Sequence, residues 1–578
     1  MLFLAPWCLG GSDSIALADR HVLVLHPGSL AAHDAASGRE TARLPLEDAW
    51  FGLAIHPKGD RVFVAGGAQP LVHEVHLRDG RLAPARRFPV PKAGFVSDVA
   101  LSPDGRFLYA LRPFDNALTV MNALTGFVVS EVATGRRPYS IVFSHDGKTF
   151  WVSHLADGAI GQYNAADGAR LAVIPVGPHP TGMALLPGPN DPGESGPRYT
   201  GRLFVACANT NSVVVLGLTE GNALQMIGRV TVAPSEFAPL GSTPTALALS
   251  LDGRRLYVAV SNNDSVAVVD IEDYTAELAG FLPAIPHPTA LGVARDGRLW
   301  IAGGAGVTVR AAPRDEDLQP PPGLPAPKDW ASPPIQQVVY VLTEGPLPDG
   351  PNTRRLGAEF ARLDQFQPLG RSAVPGYQWS TAAIVNHFVE KLVVEKMGAA
   401  QLLVDLFQTA DAAVFPPAGY LWTNALAAGL SVRNWGLVRG RDPALARLEI
   451  SEADFTTMAR TGALPHLLLI RLAGPDADTR LGRVAALLSQ SPAWPRAALF
   501  VVPEFSADAS RPSPALIVSP YARRGFADQN RYNTLSVLRT IELLLGLQPM
   551  TQFDAAAAPA SAAFTSVADP RPFAASAP

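Results

Sequence analysis

Cysteine is nearly missing from this chain. Its 578 residues contain only Cys8 and Cys207, which excludes a disulfide-stapled fold. Cys207 closes the apolar run Leu203-Phe204-Val205-Ala206 and reads as a buried strand residue. An excess of charge is missing too: 47 Lys and Arg face 51 Asp and Glu, for a formal net charge of −4. That leaves no electrostatic footprint for nucleic acid or an acidic membrane surface. No stretch is long and apolar enough to give a transmembrane helix. Only the first eighteen residues point to targeting. Leu2–Leu9 is a short apolar run and Ala16-Leu17-Ala18 matches the small residues of a signal-peptidase site, although no basic residue precedes them. Cys8, followed by Leu-Gly-Gly-Ser-Asp-Ser, is where a lipoprotein tether would attach. Residues 1–18 are therefore a candidate signal or lipoprotein segment.

Turns are plentiful, with 53 prolines and 50 glycines, and 48% of residues are hydrophobic. The length exceeds what one core can serve, so two domains or more are expected. The first 300 residues repeat. An Asp-Gly-like turn, a basic residue and an apolar strand recur, with the basic residue at Arg20, Arg61, Arg106, Lys148, Arg202, Arg255 and Arg298. The clearest copies read SPDGRFLYALRPFDNALTVMNALTG, SHDGKTFWVSHLADGAIGQYNAADG and SLDGRRLYVAVSNNDSVAVVDIEDY. A unit of roughly 40–45 residues with four short strands is a propeller blade, and seven copies predict seven blades over 19–312. Pro187–Thr200 and Ala233–Thr243 read as insertions. Gly292–Ala311 is expected to pair with the strand around His21–Leu25 and close the ring. The strings LYVAVSNNDSVAVVD and LFVACANTNSVVVLG resemble the YVTN-type β-propeller.

A Gly-x-x-Pro-like element precedes each inner strand: Gly135–Pro138, Gly177–Pro180, Gly241–Pro244 and the variant Ile285–Pro288. Symmetry puts these elements on one face around the channel. His179 and His287 within them are turn residues and also candidate ligand contacts. His21, His56, His145 and His154 have no chelating spacing.

Pro313–Pro334 holds eight prolines and reads as a stiff linker over 313–334, with Trp330 placed to pin it to one domain. From Ile335 the pattern alternates strands and helices. Val338–Leu342 reads as a buried parallel strand that opens into the loop Glu344-Gly345-Pro346-Leu347-Pro348-Asp349-Gly350. In an open α/β sheet, that loop is a site-bearing position. Trp379–Met397, Tyr420–Leu430, Leu481–Gln490 and Asn533–Leu545 read as helices. Leu464–Leu472, Ala497–Val502 and Ala515–Ser519 read as strands of a mostly parallel sheet.

The pieces IQQVVYVLTEG, YQWSTAAI, YLWTNALAAGLSVRNWG, LPHLLLIRL and SPALIVSPYARRGFADQNRYNTLSVLRTIELLLGLQPM resemble the phosphoesterase branch of the alkaline-phosphatase superfamily, of the acid-phosphatase and phospholipase-C type. The resemblance spans nearly all of 335–578. It implies a multidomain chain: an all-β seven-bladed propeller, then an α/β domain of the alkaline-phosphatase-like type. It also resembles exported bacterial proteins that join the two, which implies a periplasmic or secreted protein, soluble or lipid-anchored.

Against that family four loops are altered. Its first strand ends in Glu-Asn-Arg and a hydroxyl residue that attacks phosphorus; here Glu344 matches, and Leu347 occupies the nucleophile position. Thr343 and Thr353 are the nearest hydroxyls. Pro375-Gly376-Tyr377 replaces Asp-Gly-His, and Ala473–Thr479 replaces Asn-Asp-His-Thr. After Pro503-Glu504 the segment that carries the late histidines is shortened. The surviving acids are Glu344, Asp349, Asp476, Asp478, Glu504 and Asp508, and His387 and His466 read as structural.

Lost catalysis is therefore expected. The chain would be a binding or scaffold protein with no cofactor, its ligand an unidentified protein or small molecule at a propeller face. The alternative is an active phosphoesterase with a reduced metal site of Glu344, Asp476, Asp478 and Glu504 holding Zn, Mn or Ca. A third reading puts a redox or metal centre on the channel histidines.

Overall fold

In the computed structural model, residues 14–575 are described apart from 48, 50–51, 191–197, 273–275, 305, 321–329, 331, 393–410, 438–442 and 509–510. The leader stretch up to residue 13, with Cys8, lies outside them. No helix among the described residues is long and apolar enough to cross a membrane. The chain divides into two compact units. One is Trp7–Gly323 with Glu390–Gln401; the other is Leu324–Val389 and Leu402–Pro578 with Met1–Pro6.

The first unit is a seven-bladed β-propeller. Its blades are seven antiparallel sheets of sequential strands, six of four strands and the last of three. Alternation in each strand sends its apolar residues to the two sheet faces, and an apolar wedge fills each junction between blades. Phe204, Val213, Leu256 and Val269 make one such wedge between the fifth and sixth blades. At several of these junctions the repeated basic residue reaches across. Arg61 Nη1 donates to the Ala123 carbonyl one blade on (2.9 Å), and Arg202 donates likewise to Ile271. Arg298 of the last blade donates to the Ala35 and Ala36 carbonyls of the first.

Ring closure differs from expectation. Among the described residues the last blade, Pro288–Arg310, pairs with no N-terminal strand: His21–His26 pairs with Ser14–Leu17 and Ser29–Asp34 of its own blade. Closure comes from packing of Val22 and Val24 against Trp300 and Ala302, together with Arg298. The first blade thus starts at Ser14, upstream of residue 19 and inside the stretch that carries Ala16-Leu17-Ala18. Past the last blade the chain turns away: Gln319 exchanges backbone hydrogen bonds with Phe281 of the sixth blade (2.8 and 3.0 Å).

The second unit is built on one seven-stranded sheet: β1 (Gln337–Thr343), β2 (Ala361–Gln367), β3 (Val432–Trp435), β4 (Leu467–Leu472), β5 (Ala497–Pro503), β6 (Ala515–Val518) and β7 (Ala527–Asn533). Their order is β3-β4-β1-β5-β6-β2-β7. β6 alone runs against its neighbours, so the sheet is mostly parallel. β1 is buried along nearly its whole length, as its unbroken apolar run requires. Helices α1 (Pro351–Glu359), α2 (Ala373–Ala382), α4 (Leu421–Ala427), α5 (Glu452–Thr461), α6 (Ala477–Ser489) and α7 (Thr534–Leu545) accompany the strands, while the last three residues of α3 (His387–Leu392) belong to the first unit. Trp330 packs on Phe564 of this unit, with centroids 5.5 Å apart.

The helix expected over Trp379–Met397 is interrupted. α2 stops at Ala383, which is left-handed at φ 58°. Asn386 then accepts from Val389 N (2.9 Å) and opens α3. Residues 393–397 lie outside the described set.

Candidate functional site

Charged side chains converge in the second unit at the carboxyl ends of three adjacent strands, β4, β1 and β5. Backbone hydrogen bonds set the positions. Glu344 N donates to Leu472 O (3.1 Å) and Glu504 N donates to Thr343 O (3.0 Å), so each acid leaves the sheet beside its neighbour strand. Arg471, one residue before the end of β4, brings Nη2 to 3.1 Å from Glu344 Oε2 and 3.5 Å from Glu504 Oε2. Glu504 is fully buried and Arg471 nearly so, while Glu344 is partly exposed. A buried carboxylate needs a positive neighbour, since desolvation costs several kcal/mol per ion. Arg471 supplies that charge.

Close packing holds the floor of this cleft. A Cβ on Gly376 would stand 2.5 Å from the Glu504 carbonyl oxygen, closer than any real contact. The middle residue of Pro375-Gly376-Tyr377 is therefore glycine for steric reasons.

The other predicted acids have separate work. Asp478 lies in the first turn of α6 and caps α1 across the space between them. It accepts from Asn352 N (3.1 Å), Asn352 Nδ2 (3.2 Å), Thr353 N (2.8 Å) and Thr353 Oγ1 (2.7 Å). Burial alone would raise its pKa, but these bonds from Thr353 and Asn352 outweigh it and hold the carboxyl below the usual range. Gly350 permits the approach, because a Cβ there would meet the Asp478 carboxyl at 2.1 Å. Asp476 is exposed, with Arg480 Nε at 4.0 Å, and Asp349 is exposed beside Arg354 at 3.2 Å. Among the described residues, no three His, Cys, Asp or Glu side chains converge as a metal would require. Glu344 and Glu504 thus share Arg471, whereas Asp476 and Asp478 stand at the start of α6.

The nearby hydroxyls are engaged. Thr343 Oγ1 donates to Gly345 O (3.0 Å), and Thr353 Oγ1 donates to Asp478. Leu347 has no group that could attack phosphorus. His466 Nδ1 lies 2.8 Å from Ser431 Oγ, and His387 is buried in the first turn of α3.

In the propeller, the third residue of each Gly-x-x-Pro-like element is left-handed: Arg137 (φ 57°), His179 (53°), Thr243 (58°) and His287 (51°). A non-glycine residue in this region costs of order 1–3 kcal/mol, and the proline that follows starts each inner strand. His179 is buried. His287 donates its backbone N–H to Asp264 Oδ1 (2.8 Å), and its Nε2 is 3.6 Å from Glu390 Oε2. Burial pushes the His287 imidazole down to about 4 and the Glu390 carboxyl up to about 8. Both are therefore neutral at pH 7, and the contact is a polar one between uncharged groups. Next to it Lys391 meets the Tyr139 hydroxyl, with Nζ 4.7 Å from the ring centroid. Burial also raises Asp98 to about 7.

Sequence reasoning missed Arg471, Glu390 and Lys391. Arg471 had a visible signal, a lone charge near the end of the otherwise apolar LPHLLLIRL. Glu390 and Lys391 had none, because Glu-Lys is ordinary on a solvated helix face.

No protein-family model matches the chain. It is similar to curated 6-phosphogluconolactonases of Enterobacter sp. (strain 638), 23% identical over 261 residues, and of Cronobacter sakazakii, 23% identical over 262. The first match covers 42% of this chain and 75% of the relative, the second 42% and 74%. Among solved structures it resembles Kuenenia stuttgartiensis hydrazine synthase, with TM-score 0.43 and 16% identity over 52% of this chain and 96% of the other. It also resembles the β-propeller domain of Cps50 (Swd1) from Myceliophteria thermophila, with TM-score 0.42 and 12% identity over 52% and 97%.

Proposed function

We propose that this chain is a binding or scaffold protein whose second unit is a phosphoesterase-like domain, of the alkaline-phosphatase superfamily type, that no longer hydrolyses phosphate esters. The observation that carries the reading is Arg471, whose guanidinium lies between Glu344 and Glu504 at 3.1 and 3.5 Å. Phosphoryl transfer needs a cation that can take substrate oxygens as ligands, and an activated nucleophile in line with the leaving group. A guanidinium held by two carboxylates has its charge already matched, and Leu347 offers no nucleophile. A YVTN-type propeller would then carry the recognition, in a protein exported to the periplasm or cell exterior.

The test is divalent-metal content by mass spectrometry, with hydrolysis of an aryl phosphate monoester and diester by the same sample. Neither metal nor turnover is expected. Stoichiometric Zn, Mn or Ca with turnover abolished by Glu344→Ala would replace this reading with the metal-dependent phosphoesterase.

A further inference from the structure

Among the described residues, the last blade carries three strands where the others carry four. Its outer strand is Gly306–Arg310. The described parts of the neighbouring chain pair elsewhere: Gln319 pairs with Phe281 of the sixth blade, and Ser14–Leu17 pairs within the first. Among the described residues, no strand pairs with the outer edge of Gly306–Arg310. The hairpin closes on the Gly303–Gly306 pair, with two residues between. In an antiparallel ladder, alternate residues point their N–H and C=O away from the partner strand. Counting from Gly306, those residues are Val307 and Val309. The edge GVTVR holds no proline, and its single charge, Arg310, stands at the end of the strand.

Beyond the Arg310 end of this edge, the surface opens into a cavity of about 750 Å³ between the sixth and seventh blades. Five carboxylates line it, Asp252, Asp270, Glu272, Glu277 and Asp315, against the guanidiniums of Arg254 and Arg255. Arg254 lies 3.4 Å from Glu272, and Arg255 lies 3.4 Å from Asp270 and also pairs with Asp315. The excess is negative, and the volume admits a long basic side chain with room to spare.

We propose that the outer edge of the seventh blade takes up an extended basic peptide as its fourth strand, a lysine or arginine of which enters this acidic cavity. Main-chain hydrogen bonds would give affinity and the cavity would select charge. The inference stands apart from whether the second unit is catalytic.

Fluorescein-labelled octapeptides of alternating Val-Lys and of alternating Val-Glu, titrated against the full chain by fluorescence polarisation, test it. The basic peptide is expected to bind at least tenfold more tightly than the acidic one. Val307→Pro, which removes an outward N–H, is expected to weaken it at least tenfold, as is Glu272→Lys with Glu277→Lys. The double charge variant decides the matter if the proline variant fails to fold. Equal binding of both peptides, binding of neither, or basic-peptide binding unaffected by the variants would overturn the proposal. So would a dimer in sedimentation that Val307→Pro dissociates.

Discussion

Arg471 holds together charges that would otherwise repel. Removing one partner of a buried ion pair leaves an uncompensated charge, at a cost of about 3–5 kcal/mol. Arg471→Ala is therefore expected to lower the melting temperature of the second unit by several degrees, read by differential scanning calorimetry. Added Mn²⁺ should recover part of the loss in the variant and none in the wild type, because the two carboxylates would then face a space a cation can enter. Equal stability of variant and wild type would sink the counter-charge role. At His287 and Glu390 the consequence is pH dependence. Glu390 is raised, so its contribution is complete below its ordinary value of 4.5 and is lost as pH climbs through about 8. His287 is lowered, so its contribution is complete above 6.5 and is lost as pH falls through about 4. Lys391, Tyr139 and Asp98 lie in the same cluster. Glu390→Gln should flatten the fall of melting temperature between pH 4.5 and about 8, and an unchanged fall would exclude Glu390 as its source.

Among elements, α1 depends most on a single remote side chain. Asp478→Ala removes four hydrogen bonds to its first turn and is expected to cost about 1–2 kcal/mol, the usual scale for a lost cap. Asp478→Asn should retain part of this. Thermal unfolding checks both, and an Ala variant as stable as the parent would deny the cap. The same elements show what the sequence could tell. β1, β4 and β5 were legible, because strands covered on both faces read as unbroken apolar runs. β7 was not, because ADQNRYN buries only its second and sixth residues and looks like a loop. α1 was hidden inside the Gly/Pro-rich stretch, where Pro351 looks like a breaker but sits where helices accept proline. The site was half legible. Glu344 and Glu504 could be matched by motif, whereas the assignment of Asp478 to α1 depends on tertiary packing that no local pattern encodes.

At the scale of the whole propeller, the repeat of turn, basic residue and strand predicted seven blades, since the pattern recurs once per blade. The mode of closure was not readable, because a strand-exchanged ring and a packed ring contain the same repeats. Two outcomes follow from the packed ring. Arg298→Ala removes the donor to Ala35 and Ala36 and is expected to cost about 1.5–3 kcal/mol, the range for a hydrogen bond to a charged group. Deleting residues 1–18 removes Ser14–Leu17, and with it Ile15 from the closing wedge. That chain should melt earlier than one deleted only through residue 13, as calorimetry would show.

The described strands of each blade come from one contiguous stretch of sequence, from Ser14–Pro45 in the first to Pro288–Arg310 in the last. Among the described residues, no strand of the first blade is hydrogen-bonded into the sheet of the last. A propeller permuted to begin at any blade, with its old ends spliced, keeps every sheet whole and every forward-reaching arginine opposite its carbonyls.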